Sequence, residues 1–144
     1  MNRIYLTILP LAAAALLSAC ATIRVNIPEE LSPAEIIQRA QEASDRNRYN
    51  VALQYYEALL ERNRTNIDLI CTAEYEIAFI HYKQKKYDQA KEEFNALLER
   101  YNTPDEELLP QQFKILARKV LDQIEEKQKP RVPFFRKKAA ASDS

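Results

Sequence analysis

The chain contains no glycine, one histidine and two cysteines in 144 residues. Without glycine it has none of the Gly-rich loops that bring backbone amides up to phosphates. It also lacks the residue that tight β-hairpin turns favour, which argues against a β protein. One histidine and so few cysteines leave no recognisable metal site and no nucleophile–base set. No catalytic residue, no metal and no cofactor are therefore expected. What the chain does have is charge, 29% of its residues, set among abundant Ala, Leu, Glu, Lys and Gln, which suit helices. The predicted fold class is all-α.

The first 20 residues are of another character. Arg3 precedes an apolar run from Ile4 to Ala19, interrupted at Pro10, and Cys20 follows. The run is short for a spanning helix, which needs about 20 apolar residues. A charged start, an apolar middle and small residues before a cut describe an export signal. Leu17-Ser18-Ala19-Cys20 resembles the lipobox of bacterial lipoproteins, a family in which the cysteine thiol takes a diacylglyceryl group and a signal peptidase cuts just before it. The resemblance implies a signal peptide over 1–19, lipidation at Cys20 and a tether over 20–31. Several acyl chains hold a protein stably to a bilayer where one does not. Ala21 stands where an aspartate would, by the family's rule, retain the protein at the inner membrane. The expected location is the outer membrane, with its periplasmic face as the first choice and surface exposure left open.

With Cys20 committed to lipid, Cys71 has no disulfide partner and reads as a small apolar helix residue. Charge is unevenly placed. Residues 21–126 hold 14 Lys/Arg against 20 Asp/Glu, a net of −6, and residues 127–144 hold six against one, a net of +5. The body is acidic and the tail basic.

Self-comparison finds a repeat. Arg48-Tyr49-Asn50-Val51-Ala52 through Tyr56 to Ala58-Leu59-Leu60-Glu61-Arg62 returns, shifted by 38, as Lys86-Tyr87-Asp88-Gln89-Ala90 through Phe94 to Ala96-Leu97-Leu98-Glu99-Arg100, with seven of fifteen positions identical. Tyr, Ala, aromatic and Leu recur at helical spacing in both blocks, so each predicts a helix with one buried stripe. Another helix precedes each block. Ser32-Pro33-Ala34-Glu35 is a capping box with proline at the first helical position, opening a helix to about residue 46 with Ile36, Ile37, Ala40 and Ala43 inward. Thr65-Asn66-Ile67-Asp68 opens the next, to about Gln84, with Ile70, Ala73, Ile77, Ala78 and His81 on one face.

These helix pairs resemble the tetratricopeptide repeat (TPR), a 34-residue helix–turn–helix. Ala78, Tyr87 and Ala90 fall at that family's first small residue, turn aromatic and second small residue, and Ala40, Tyr49 and Ala52 are their counterparts. The sequence departs from the family in three ways. The period is longer, which implies about one extra helical turn near the start of the second repeat. Asn47 and Lys85 replace the turn glycine, and no proline closes the repeats at Arg64 and Asn102. The resemblance implies a solenoid with repeat 1 over 32–64 and repeat 2 over 65–102. Two repeats leave end faces uncovered. Thr103-Pro104-Asp105-Glu106 reads as a further capping box, opening a capping helix over 103–128. Its predicted stripe is Leu109, Phe113, Leu116, Val120 and Ile124, with Gln112, Lys114, Arg118, Lys119 and Asp122 facing away. Residues 129–144 read as a basic tail, either solvated or in contact with anionic lipid or an acidic partner.

TPR arrays bind proteins on the concave surface of each pair's first helix. By resemblance the second repeat would present Tyr75, Phe79, Tyr82 and Lys83 there, three aromatics on one stripe beside a cation. The same spacing would suit rings packed beneath the last helix, and the residues alone leave both open. The first-repeat counterparts are Ile37, Gln41, Ser44 and Asp45, while His81 falls at a packing position. Lipobox, short tether and early repeats together resemble, over residues 17–102, the BamD family, TPR lipoproteins of the machinery that inserts β-barrels into bacterial outer membranes. That family has about five repeats, so this chain would be a shortened member. The implied function is a membrane-anchored scaffold with protein partners in the envelope, not an enzyme and not a nucleic-acid binder. The alternative is an accessory binding module for a transporter or cell-wall enzyme complex.

Overall fold

The structure, a computed structural model, describes residues 24–130. The lipobox-like segment Leu17-Ser18-Ala19-Cys20 and the tail from Arg131 lie outside the described residues. Among those residues there are five α-helices and no strand: α1 Pro33–Asp45, α2 Tyr49–Arg62, α3 Ile67–Lys83, α4 Tyr87–Glu99 and α5 Gln111–Gln128, with a 3-10 turn at Glu106–Leu108 before α5. Each helix packs on the next, and α5 also touches α3.

The capping box at Ser32 forms. Ser32 Oγ accepts from the Glu35 amide at 3.3 Å, and Glu35 Oε2 accepts from the Ser32 amide at 2.9 Å. The Ser32 hydroxyl, which donates to the same Oε2 at 2.7 Å, and the Ser32 amide together hold the ionised carboxyl below the usual carboxylate range. Asn66 caps α3 through its side-chain oxygen and the Leu69 amide, 3.2 Å.

Both short turns are built alike despite having no glycine. After α1, Asn47 takes φ 57°, and after α3, Lys85 takes φ 62°. Around Asn47 the amides of Asn47 and Arg48 donate to the carbonyls of Ser44 and Ala43, at 2.9 and 2.8 Å. Around Lys85 the amides of Lys85 and Lys86 donate to Tyr82 and His81, at 2.9 and 3.0 Å. This pair of bonds, with a left-handed residue after the helix, is the Schellman termination. Asn47 has a further anchor, since Tyr49 Oη donates to its Oδ1 at 2.7 Å. The longer period also has a location. α1 and α3 begin 34 residues apart but end 38 apart, so the extra turn lies at the start of the 17-residue α3.

The last helix departs from the sequence-based expectation. Thr103 does not open it: its hydroxyl donates to the Arg100 carbonyl, and α5 starts only at Gln111. The cause is Pro110. Its ring drives the preceding Leu109 into extended backbone (φ −86°, ψ 149°), and a helix running through both is excluded. The buried stripe shifts accordingly. Phe113, Ala117, Val120 and Ile124 are buried, whereas Leu116 is 39% exposed. Of the residues expected to face away, Gln112, Arg118, Lys119 and Asp122 are exposed, and Lys114 is half-buried and paired with Glu106.

Two apolar clusters share α3. Ile36, Ala40, Val51, Ala52, Tyr56 and Leu59 pack with Ala73 and Ile80 on one side of it. Cys71, Tyr75 and Ala78 pack with Ala90, Phe94, Leu97, Tyr101 and the α5 stripe on the other. The inward face of α3 is thus Cys71, Ala73, Tyr75, Ala78, Ile80 and His81, and the expected Ile70 and Ile77 are only half-buried. The repeated Leu-Leu-Glu-Arg segments end in arginines with different uses. Arg100 forks onto Glu74 of α3 at 2.7 and 2.6 Å, a bidentate pair that binds the end of α4 to α3. Arg62 meets no such carboxylate, because the residue 38 before Glu74 is the buried Ile36. It donates instead to the carbonyls of Pro28 and Ile27, each at 2.9 Å.

Candidate protein-binding site

The aromatic side chains of α3 form a ladder. Tyr75 stacks on Phe79 with centroids 5.8 Å apart and planes 14° apart, and Phe79 stacks on Tyr82 at 5.8 Å and 21°. Tyr82 continues to Tyr87 of α4 at 5.9 Å. Spacings of three and four residues place these α3 rings on one helical face, one turn above the next.

The ladder is not uniformly available. Tyr75 is only 7% exposed and lies between Phe94 and Phe113, with centroids at 5.7 and 5.4 Å. This corrects its assignment to a binding groove, because α5 packs its Phe113 ring over it. The other three predicted residues differ from it. Phe79, Tyr82 and Lys83 are half-buried, and cations accompany the rings. Lys83 Nζ lies 5.1 Å from the Phe79 centroid and Lys127 Nζ 5.9 Å from the Tyr82 centroid, within cation–π range. Tyr82 Oη donates to Gln123 Oε1 at 3.0 Å. Leu116, two turns before Gln123, shares that flank of α5 and adds an exposed apolar side chain.

Lys83 is held rather than loose. Its ammonium donates to Ser44 Oγ of α1 at 2.9 Å, and its charge favours the ionised form of nearby Glu76. Burial nevertheless wins at Glu76 and, with Asp45 close by, raises its pKa above 4.5. Of the first-helix counterparts, Ser44 is buried beneath Lys83, Ile37 is half-buried, and Gln41 and Asp45 are exposed. The assembled surface is therefore Phe79, Tyr82 and Lys83 with Gln123 and Lys127, and Leu116 extends it along α5 by its helical register. Sequence reasoning misses the α5 members because the apolar spacing places Leu116 inward. The spacing 116, 123, 127 is the signal that could have found them.

His81 and Cys71 are packed inside the fold. His81 is buried, with Nδ1 2.7 Å from Glu93 Oε2 and Nε2 beside the Gln89 amide at 3.4 Å, which ties α3 to α4. Cys71 is free and buried, and burial raises its thiol pKa. Among the described residues no group of three His, Cys, Asp or Glu could hold a metal ion. No described helix is long and apolar enough to cross a membrane.

No protein-family model matches the chain, and no solved structure matches it. An uncharacterized protein of Treponema pallidum (strain Nichols) is 33% identical to it over 96 residues, which cover 65% of this chain. The chain spans only 38% of that relative's length.

Proposed function

We propose that this chain is a lipid-anchored scaffold lipoprotein, a short TPR-type helical array that binds other envelope proteins, as a shortened BamD-like component of outer-membrane β-barrel assembly. The observation that carries the binding role is the half-open ladder of Phe79 and Tyr82, flanked by Lys83 and Lys127. Aromatic rings whose faces are partly covered and partly open anchor protein interfaces, because they add large apolar area at little loss of side-chain freedom. Two glycine-free Schellman turns 38 residues apart support the repeat reading, and Leu17-Ser18-Ala19-Cys20 supports the anchor. Its action is binding and positioning, with no covalent step.

Affinity capture of the tagged protein from detergent-solubilised membranes tests this. A barrel-assembly subunit should be recovered with the wild type and lost with Phe79→Ala, while helical content is retained. Recovery of a transporter or wall enzyme without any barrel-assembly subunit would sink the assembly role. Loss of helical content in Phe79→Ala would show the ring to be core.

A further inference from the structure

A basic surface on the first helix pair takes no part in the ladder. The segment before α1 is fastened to α2: the Val25 amide donates to Gln54 Oε1 at 2.8 Å, and Arg62 holds the carbonyls of Ile27 and Pro28. Val25, Ile27 and Leu31 pack on the first core cluster. The chain therefore enters the described body at Arg24, close to the α1–α2 turn. At that turn a cleft of about 180 Å³ is lined by Arg39, Arg46 and Arg48 with Val25, Tyr55 and one carboxylate, Glu42.

Arg24, Arg46 and Arg48 are exposed, and their guanidinium groups make no hydrogen bond or ion pair among the described residues. Arg39 is exposed too, and acts on Glu35 only through the field of its charge. The other carboxylates facing this end are Glu42, which accepts from Gln38, and the exposed Asp45. Arg46 has a local reason for its place, at the negative end of the α1 dipole. Arg39 stands one turn after Glu35, and Arg24 has no such local partner. In a body of net charge −6, four arginines gathered at one end is a polarised arrangement.

We infer that Arg24, Arg39, Arg46 and Arg48 dock the α1–α2 turn on the anionic phosphate headgroups of the membrane that holds the Cys20 lipid. The inference rests on the lipoprotein reading, which supplies the geometry. Cys20 lies four residues before Arg24, a reach of at most about 14 Å, and no acidic residue intervenes. That reach is comparable to the roughly 8–10 Å over which surface charges act at physiological salt, and juxtamembrane cations are drawn to anionic lipid. The lipid supplies attachment and the arginines supply orientation. No residue of α3 or α5 lines the cleft, so the Phe79–Tyr82 face is not used up by the contact.

The test uses the mature protein purified from membranes and reconstituted into vesicles of phosphatidylethanolamine with phosphatidylglycerol, or of phosphatidylcholine alone. Hydrogen exchange is read over residues 39–50. Exchange there should be several-fold slower on the anionic vesicles than on the neutral ones, and Arg46→Gln with Arg48→Gln should remove the difference at unchanged melting temperature. Equal exchange on the two vesicles would overturn the inference, as would slowing confined to the basic residues from Lys127 onward. The mass of the same sample separates the two levels. An acylated Cys20 with no slowing overturns the orientation alone, and a Cys20 without acyl mass overturns the tether and the orientation together.

Discussion

Lys85 holds φ 62° without the freedom of glycine. A left-handed conformation costs a residue with a Cβ about 1–2 kcal/mol. Lys85→Gly removes that strain but adds unfolded-state entropy of up to about 1 kcal/mol. The variant should be more stable by roughly 0.5–1 kcal/mol, a melting point a few degrees higher by calorimetry. Asn47→Gly should gain less, because asparagine tolerates this region and Asn47 also accepts from Tyr49. Tyr56 is fully buried, and its hydroxyl has no partner among the described residues. Its counterpart 38 residues on is Phe94. Tyr56→Phe should therefore leave stability unchanged or raise it by up to about 1 kcal/mol. Tyr101→Phe, which loses a bond to the Pro110 carbonyl, should lower it by about 1 kcal/mol. At Glu76 the folded state holds the proton more tightly than the unfolded chain does, with burial as the main cause. Stability then falls as pH rises from the ordinary 4.5 through the raised value. Glu76→Gln should raise the melting temperature at pH 7, and the gain should shrink toward pH 4.5 in a pH series of melts.

The helices differ in how far their sequences announce them. α1 and α3 begin where a side chain caps the first turn, at Ser32 and Asn66, and such caps are legible as residue patterns. α2 and α4 carry the repeated stripe, so their register follows from Ala52, Tyr56 and Leu59 or Ala90, Phe94 and Leu97. At α5 two signals conflict. Thr-Pro-Asp-Glu matches a capping pattern, but the proline at 110 forbids a helix across it. Tyr75 was illegible for a different reason. Whether a ring on an apolar stripe meets solvent or a neighbour depends on where α5 docks, which is tertiary information. The register of α5 can be checked by substitution. Phe113→Ala should destabilise by about 3–5 kcal/mol. Leu116→Ala, at a position 39% exposed, should change stability by less than about 1 kcal/mol in denaturant melts. Equal losses at the two positions would instead place Leu116 in the buried stripe with Phe113.

Across the whole molecule, α3 contributes side chains to both apolar clusters, so neither helix pair has a core independent of it. Native-state hydrogen exchange should find the slowest amides in α3, which packs on α2, α4 and α5, with α1, packed mainly on α2, opening first. The same arrangement places the Phe79–Tyr82 ladder on the most firmly held helix, which favours binding with little rearrangement. Charge is also organised at this scale: an acidic body has arginines beside its entry point and cations along residues 127–144. On the proposed reading, membrane attachment and partner binding use separate surfaces. The decisive measurement is site-specific photo-crosslinking in intact membranes, with the crosslinking residue placed at Phe79 or at Ile115, which is 67% exposed on α5. Position 79 should give a discrete adduct with one envelope protein while position 115 gives none. No adduct from 79, or the same adduct from both positions, would contradict a scaffold that binds its partner through the α3 ladder.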